Sequence, residues 1–322
     1  MLQTKIAKID LPTCIYNASG ALCTSEKELK DLMDDPYTGA VISKSCTKEF
    51  RIGNPHPRYY EQKSPFLTIN STGLANLGYD FYGQLDLKTK TKTNKPYFIS
   101  VSGLSIDDNL SIIKYMQDDI PANNIDAIEL NLSCPNVIGK PQIGYDRDGC
   151  DNLLRRIFEE TDFVHPIGFK LPPYFDSVQI EQMSDIFRQY PVGFLTCINS
   201  LGNGLVINPE TEQAVIKPRG GLGGIGGSVI KPISLSNVYQ FRQSMPTEVD
   251  IIGCGGVQNG VDVFEHILVG ASAVQIGSQL VYEGISCFSR IQGELIKIME
   301  SKGYKTLDEF RGKLKAFDQV CI

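Results

Sequence analysis

Short apolar runs alternate with amphipathic stretches along most of the chain. The runs are almost continuously apolar, which is typical of strands in a parallel sheet that is covered on both faces. The predicted strands are Ala40–Ser43, Phe66–Ile69, Tyr97–Ser102, Ile125–Leu130, Ile167–Lys170, Gly193–Ile198, Asp250–Cys254 and Ala273–Ile276. The amphipathic stretches predict helices over Asp107–Gln117, Cys150–Glu160, Ser177–Tyr190, Ser234–Ser244, Val261–Val269 and Gln279–Ser301.

The order of these elements indicates the fold class. Strands that alternate with helices throughout a chain of 322 residues predict a single-domain TIM (β/α)8 barrel over residues 1–322. A doubly wound α/β sheet is the alternative, because both architectures use the same alternation.

Polar residues follow several predicted strands at their carboxyl ends, where a TIM barrel carries its active site. Two of them are lysines, Lys44 and Lys170, and three are asparagines, Asn70, Asn131 and Asn199. Asparagine both donates and accepts hydrogen bonds, so such a set suits a small planar ligand with amide, carbonyl and carboxylate edges. Each residue alone also has a structural explanation, since asparagine closes turns and lysine extends an apolar stem over the surface.

The segment Asn131-Leu132-Ser133-Cys134-Pro135-Asn136 directly follows the predicted strand Ile125–Leu130. Asparagine favours irregular backbone, and a proline cannot continue a central strand, so the segment predicts a loop. This loop would present two amides and a thiol at one strand end. A polar turn with a buried cysteine is the alternative interpretation.

Glycines after the last two predicted strands indicate a phosphate site, because this fold binds phosphate there through main-chain N–H groups. The residues are Gly255-Gly256 and Gly277-Ser278. The run from Gly221 to Gly226 matches G-x-G-x-x-G but follows Lys217-Pro218-Arg219 rather than a strand, so a Rossmann site is not indicated. We interpret it as a flexible turn or as a loop that approaches a flat cofactor. The whole stretch from Gly202 to Pro232 is long for a connection, which favours a functional loop or lid.

Composition narrows the classes of partner and compartment. The net charge of −6 argues against nucleic acid or an anionic membrane as the main partner. The longest apolar stretch, Val269 to Phe288, is interrupted by Gln275, Gln279 and Glu283, and we expect no membrane span and no signal peptide. The nine cysteines are scattered without any C-x-x-C, which argues against a disulfide framework, a metal site or an iron–sulfur cluster. We expect a reducing, cytoplasmic setting.

Four parts of the sequence resemble the dihydroorotate dehydrogenases, and within them the soluble class 1A enzymes. They are Asn131 to Asn136, Lys44-Ser45, Ile69-Asn70-Ser71 with Gly73-Leu74, and Gly220-Gly221 through Gly226-Gly227. The resemblance covers essentially the whole chain. It implies a TIM barrel that binds FMN, oxidises dihydroorotate to orotate in pyrimidine synthesis, forms a homodimer and passes electrons to fumarate.

The resemblance also implies a role for each matching residue. Cys134 would be the base that removes a proton from carbon 5 of dihydroorotate. The substrate would contact Lys44, Asn70, Ser71, Thr72, Gly73, Leu74, Asn131, Asn136, Asn199 and Ser200. FMN would contact Ser19, Lys44, Ser45, Asn131, Lys170, Ile198, Gly227, Gly255, Gly256, Gly277 and Ser278. The stretch after Asn136, with Gly139, Pro141 and Gly144, is similar to a lid, and Thr72 departs from the methionine expected there.

Other protein classes share parts of this pattern but differ from it in specific features. Membrane-bound class 2 members carry an N-terminal helical extension and a serine at the position of Cys134, whereas the barrel here is expected to begin almost at Met1. NAD-linked class 1B members need an iron–sulfur subunit, which one chain cannot exclude. A flavin-dependent 2-hydroxy-acid oxidase needs a histidine in the pocket, and a dihydropyrimidine dehydrogenase-like enzyme needs iron–sulfur clusters. A cofactor-free phosphate-binding isomerase or a purely structural protein would leave Lys170 and the asparagines without a shared task.

Overall fold

The computed structural model describes residues 1–91, 93–133 and 142–315. Its strands are, in chain order, β1 (Thr4–Ile6), β2 (Ile9–Leu11), β3 (Ile15–Asn17), β4 (Val41–Ile42), β5 (Tyr59–Lys63), β6 (Phe66–Asn70), β7 (Tyr97–Val101), β8 (Ala127–Asn131), β9 (Ile167–Leu171), β10 (Phe194–Cys197), β11 (Leu201–Leu205), β12 (Ile207–Asn208), β13 (Gln213–Ala214), β14 (Leu222–Gly227), β15 (Asp250–Cys254) and β16 (Ala273–Ile276). Its helices are α1 (Glu26–Asp34), α2 (Tyr79–Gln84), α3 (Leu87–Lys90), α4 (Ile106–Asp118), α5 (Arg147–Glu160), α6 (Ser177–Phe187), α7 (Lys231–Ser244), α8 (Gly260–Leu268), α9 (Ser278–Glu283) and α10 (Cys287–Lys302). Four 3-10 turns accompany them, at Ile143–Tyr145, Pro218–Gly221, Ser228–Ile230 and Leu307–Glu309.

Eight parallel strands form the central sheet, in the order β3-β16-β15-β10-β9-β8-β7-β4. The two ends of this sheet, β3 and β4, are joined by the Asn17 side chain and by a hydrogen bond from Gly39 N to Ile15 O at 2.7 Å. The sheet therefore closes into a barrel, and the predicted TIM barrel is confirmed. Among the described helices, none is both long enough and apolar enough to cross a bilayer.

The amino end of the barrel is filled by apolar side chains and covered by the β1–β2 hairpin. Ile6 and Leu11 of the hairpin pack against Tyr16, Phe98 and other buried residues near the starts of the strands. A second, larger core lies between the outer face of the sheet and the helices. Because the amino end is packed, the carboxyl end is the open end, as the fold requires for an active site.

One predicted barrel strand was wrong. The run Phe66–Ile69 lies in β6, which belongs to an antiparallel sheet of order β11-β14-β6-β5 beside the barrel. The eighth barrel strand is instead Ile15–Asn17, which was not predicted. Ile15–Asn17 is only three residues long, too short for a clear pattern. A buried antiparallel strand can also be as apolar as a parallel one, so local composition could not show that Phe66–Ile69 lies outside the barrel.

The glycine-rich run was predicted as a turn or loop, and this was wrong as well. Residues Leu222–Gly227 form β14, which pairs with β6 and β11. Glycine is required here because neighbouring atoms lie very close: a Cβ on Gly223 would meet Asn70 O at 2.6 Å, and one on Gly224 would meet Ser200 Oγ at 2.2 Å. Glycine within a strand marks such a close approach, which the sequence pattern alone does not distinguish from a turn.

The predicted long helix Gln279–Ser301 is two helices. The first, α9, ends at Glu283, and Gly284 follows with φ 79°, a left-handed value that ends a helix. The second begins at Cys287. The three helices before β7 were not predicted, although α1 begins with a complete capping box between Ser25 and Glu28 that the sequence pattern S-x-x-E contained.

Candidate active site

A cavity of about 420 Å³ opens at the carboxyl end of the barrel, and strands β6 and β14 line one side of it. Its volume lies in the range of small-molecule and cofactor sites. The cavity brings together sixteen of the predicted site residues, which come from distant parts of the chain. They are Ser19, Lys44, Ser45, Asn70, Thr72, Leu74, Asn131, Lys170, Ile198, Asn199, Ser200, Gly227, Gly255, Gly256, Gly277 and Ser278.

The remaining predicted residues do not line the cavity or are not described. Ser71 is fully buried, and its main chain is hydrogen-bonded to Arg58 and Asn54. Gly73 is left-handed at φ 69° and packs against Asn54. The predicted base Cys134, with Asn136 and the lid positions Gly139 and Pro141, lies outside the described residues. Gly144 is described, and its N–H donates to Leu132 O at 2.9 Å.

The asparagines at the strand ends are oriented by one another. Asn199 Nδ2 donates to Asn131 Oδ1 at 3.2 Å, and the same oxygen accepts from Ser133 N at 3.0 Å. Asn199 Oδ1 in turn accepts from Ser200 N at 2.8 Å. Because its oxygen is already used, Asn131 presents its Nδ2 group as a donor for a ligand. Asn70 approaches from β6, where its Nδ2 donates to Gly224 O at 3.2 Å.

Lys170 is the charged group in the cavity wall that best indicates the chemistry of the ligand. It lies on β9 opposite Asn131 on β8, and it is only 5% exposed. Within residues 1–91, 93–133 and 142–315 it makes no ion pair, and its Nζ has one hydrogen-bond partner, Gln275 Oε1, at 2.6 Å. A buried ammonium without an anion is costly, so this site is suited to a ligand that is electron-rich or negatively charged beside Lys170.

Gln275 and the groups behind it were not predicted from the sequence. Gln275 Nε2 donates to Glu129 Oε2 at 2.8 Å, and Glu129 also accepts from Thr196 Oγ1 at 2.7 Å. These three polar residues are fully buried inside the barrel. The available signal was a glutamate in the middle of one mainly apolar predicted strand and a glutamine inside another, which is unusual in a covered parallel sheet.

Hydroxyl groups line the opposite part of the cavity. Ser45 Oγ lies 2.9 Å from Ser19 Oγ and 2.9 Å from Ser100 Oγ, which forms a continuous chain from the cavity wall into the barrel. Lys44 approaches the same region closely, since a Cβ on Gly20 would meet Lys44 Nζ at 3.1 Å. Lys44 and the serines can therefore contact one ligand from the same side.

The glycine loops after β15 and β16 have the properties of a phosphate site. Gly255 and Gly256 have φ values of 136° and 76°, which favour glycine, and a Cβ on Gly256 would meet Lys231 Cβ at 2.4 Å. Ser278 Oγ lies 2.9 Å from Thr68 Oγ1, and a Cβ on Gly226 would lie within 2.9 Å of both oxygens. Exposed main chain and hydroxyl groups at such a loop bind phosphate.

Six of the seven described cysteines are poor general bases, because burial raises the pKa of each thiol. All seven are buried, and burial raises the pKa of Cys14 and Cys46 to about 12 and that of Cys23 to about 11. Cys254 is the one described cysteine that lines the cavity. It follows that a thiol base from the described residues would have to be Cys254, and the predicted base Cys134 has to be tested against it.

These features together fit a flavin mononucleotide. The glycine loops with Ser278 match its phosphate. The buried ammonium of Lys170, which has no carboxylate partner among the described residues, matches a ring edge that becomes negative on reduction. The strand-end amides leave donors and acceptors for a second, smaller ligand in the same cavity.

Comparisons with known proteins match the chain to one family. The family model for dihydroorotate dehydrogenases matches residues 1–299. The putative dihydroorotate dehydrogenase A (fumarate) of Streptococcus uberis is 48% identical over 98% of each chain. The dihydroorotate dehydrogenase (fumarate) of Trypanosoma brucei brucei is 46% identical over 98% of this chain and 99% of its own. That of Lachancea kluyveri is 46% identical over 93% and 94%.

Solved structures share the fold at much lower identity. Two crystal structures of DHODH from Eimeria tenella, one ligand-free and one in complex with ferulenol, superpose with TM-scores of 0.80 and 0.79. Each is 19% identical to this chain and covers 97% of it, and the chain covers 91% and 88% of the two structures. At this identity, the likeness establishes the barrel architecture only.

Proposed function

The chain belongs to the dihydroorotate dehydrogenase family, and on that premise we propose that it oxidises dihydroorotate to orotate in de novo pyrimidine biosynthesis, with FMN as cofactor and fumarate as electron acceptor. The relatives named above carry fumarate in their names, which favours fumarate over NAD or a quinone. Cytoplasmic location and a homodimer remain predictions.

The observation that carries the proposal is the buried ammonium of Lys170 in the cavity wall, without a carboxylate partner among the described residues. When bound, FMN supplies the acceptor for the hydride that leaves carbon 6 of dihydroorotate. Lys170 would stabilise the negative charge that the pyrimidine edge of the cofactor carries after reduction. The loops at Gly255-Gly256 and Gly277-Ser278 would hold the phosphate through their N–H groups.

The amides and Lys44 would bind and orient the substrate. Asn131, Asn199 and Asn70 offer the donors and acceptors that match the ring amides and carboxylate of dihydroorotate. Fumarate is also a small planar carboxylate, so the same groups can hold it after orotate leaves. Cys134 would remove the proton from carbon 5, because a thiol with an ordinary pKa near about 8.5 can act as a base in mildly alkaline solution.

An absorption spectrum and three acceptor assays test the proposal. The purified protein should show a flavin spectrum, and the released flavin should be FMN on chromatography. Steady-state rates with fumarate, a short-chain quinone and NAD should be highest with fumarate, with parallel lines in double-reciprocal plots because both substrates use one pocket. A colourless protein contradicts the whole proposal. Efficient turnover with NAD or quinone but not with fumarate contradicts the acceptor alone.

A further inference from the structure

Five buried polar side chains form a continuous network inside the barrel, and it reaches the cavity wall at Lys170 and Gln275. Each comes from a different barrel strand, and none is more than 5% exposed. Buried glutamate, glutamine and lysine side chains are rare unless they are paired, and the amino end of the barrel below them is filled mainly by apolar side chains. We call this set the barrel network; its members are Tyr16, Glu129, Lys170, Thr196 and Gln275.

Gln275 is the central member and uses both ends of its amide. Its Oε1 accepts from Lys170 Nζ at 2.6 Å. Its Nε2 donates to Glu129 Oε2 at 2.8 Å and contacts Tyr16 Oη at 3.2 Å. The three contacts account for one acceptor site and both N–H donors of the amide, so this side chain is held on three sides.

Glu129 decides which way the Gln275 amide points. A carboxylate only accepts hydrogen bonds, so it selects the NH2 end of the amide and leaves the oxygen for Lys170. The reversed amide would place its oxygen against Glu129 and its NH2 group against an ammonium, which is unfavourable at both ends. Burial raises the pKa of Tyr16 well above its usual value, so the phenol stays neutral beside the amide.

We propose that Gln275 is a positioning residue, oriented by Glu129, that holds the Lys170 ammonium against the flavin and so sets how much more tightly the reduced cofactor binds than the oxidised one. The inference deepens the proposed function and rests on it. Lys170 has one hydrogen-bond partner among the described residues, and the other N–H groups of its ammonium are available to a ligand in the cavity. Without the Gln275 oxygen, nothing described would hold the ammonium at this place.

A double-mutant cycle distinguishes positioning through Lys170 from a general packing role. The proteins are the wild type, Gln275→Met, Lys170→Ala and the double variant, all loaded with FMN. The measurements are the flavin midpoint potential and the dissociation constants of oxidised and reduced FMN. Methionine has nearly the shape of glutamine but accepts hydrogen bonds only weakly, so the barrel stays filled while the oxygen is lost.

In Gln275→Met, the reduced cofactor should lose about tenfold more affinity than the oxidised one. For a two-electron couple this corresponds to a fall of about 30 mV in midpoint potential. In the Lys170→Ala background, the same substitution should change the potential no further, because the group through which it acts is absent. Gln275→Asn should lower the midpoint potential as Gln275→Met does, since the asparagine side chain is one methylene shorter and its amide cannot reach Lys170 Nζ. This variant replaces Gln275→Met if the methionine variant fails to fold.

Thr196→Val is the matched control, because it removes the other hydrogen bond to Glu129 Oε2 and leaves both ends of the Gln275 amide in contact. Its midpoint potential should stay close to that of the wild type. An unchanged potential in both Gln275 variants overturns the inference, and so does an equal fall with and without Lys170. A wild-type protein that binds no FMN overturns the proposed function first, whereas bound FMN with unchanged potentials overturns the inference alone.

Discussion

The Asn17 side chain and the main chain of Ile42 complete the barrel. Asn17 Nδ2 donates to Ile42 O at 2.8 Å, and Asn17 Oδ1 accepts from Ile42 N at 3.0 Å. One amide therefore joins the strands β3 and β4, which the order of the sheet leaves at its two ends. Asn17 is fully buried, so neither main-chain group of Ile42 has access to water in its place.

Asn17→Ala should lower the free energy of unfolding by about 2–4 kcal/mol, because it leaves a buried N–H and a buried C=O without partners. Urea unfolding measures the change. Asn109→Ala is the control, since the Asn109 side chain bonds one main-chain group among the described residues, Gly103 N, and its loss should be about half as large. If the two variants lost the same free energy of unfolding, the hydrogen bonds that close the barrel would stabilise the fold no more than an ordinary side-chain hydrogen bond.

Cys134→Ala should keep FMN but reduce the rate of flavin reduction by dihydroorotate about 10²-fold or more, which is typical for the loss of a positioned base. Cys134→Ser should also be slow near neutrality and recover partly at high pH, because a hydroxyl is a weaker base. Stopped-flow reduction of the bound flavin measures both. The matched control is Cys254→Ala, which removes the described thiol that lines the cavity and should keep most of the rate. If Cys254→Ala lost most of the rate of flavin reduction and Cys134→Ala kept it, the general base would be Cys254.

Asn199→Ala should weaken the binding of dihydroorotate and of fumarate together, by about tenfold each, as expected for a lost hydrogen bond to a charged ligand. It also removes the bond that orients Asn131. Inhibition by orotate and steady-state kinetics with both substrates measure the effect. Asn152→Ala on α5 should change neither constant, since Asn152 bonds only Arg155 among the described residues. A loss confined to one substrate would argue for two separate binding sites.

His266 should make the stability of the fold depend on pH. It is fully buried, with Nδ1 2.8 Å from Asp262 O and Nε2 3.0 Å from Ser234 Oγ, and burial lowers the pKa of this imidazole in the folded state. The unfolded histidine has a pKa of about 6.5, so below that pH the unfolded state takes up a proton that the folded state resists. The stability contribution of His266 is therefore complete above about pH 6.5 and is lost as the pH falls toward the lower folded pKa.

Urea unfolding of the wild type and His266→Gln between pH 8 and pH 5 tests this dependence. The difference in free energy of unfolding between the two proteins should shrink as the pH falls. The neighbouring charges of Lys231, Asp262 and Glu265 are present in both proteins, so their own titration largely cancels in the comparison. A difference for His266→Gln that grows in acid would contradict the assignment.

Much of the candidate site could be predicted because it depends on where strands end. Polar residues after an apolar run reach the carboxyl edge of a barrel whatever their partners are, so Lys44, Asn131, Lys170 and Asn199 were identified from the sequence and line the cavity. The glycines Gly255 and Gly256 were identified in the same way. Ser71 and Gly73 were assigned by the motif that they share with Asn70, but they are not among the residues that line the cavity. The main chain of Ser71 is hydrogen-bonded to Arg58 and Asn54, and Gly73 O accepts from Arg51 Nε.

The sequence by itself determined the fold class and the chemistry at the strand ends, because both follow from local alternation of apolar and polar residues. Only the tertiary structure decided that Ile15–Asn17 enters the barrel and that Phe66–Asn70 pairs with the glycine strand Leu222–Gly227. The tertiary structure also brought Gln275 into contact with Lys170, and Glu129 into contact with Gln275. Strand partners and buried contacts join residues that lie tens to hundreds of positions apart, and no local pattern encodes which distant group will meet them.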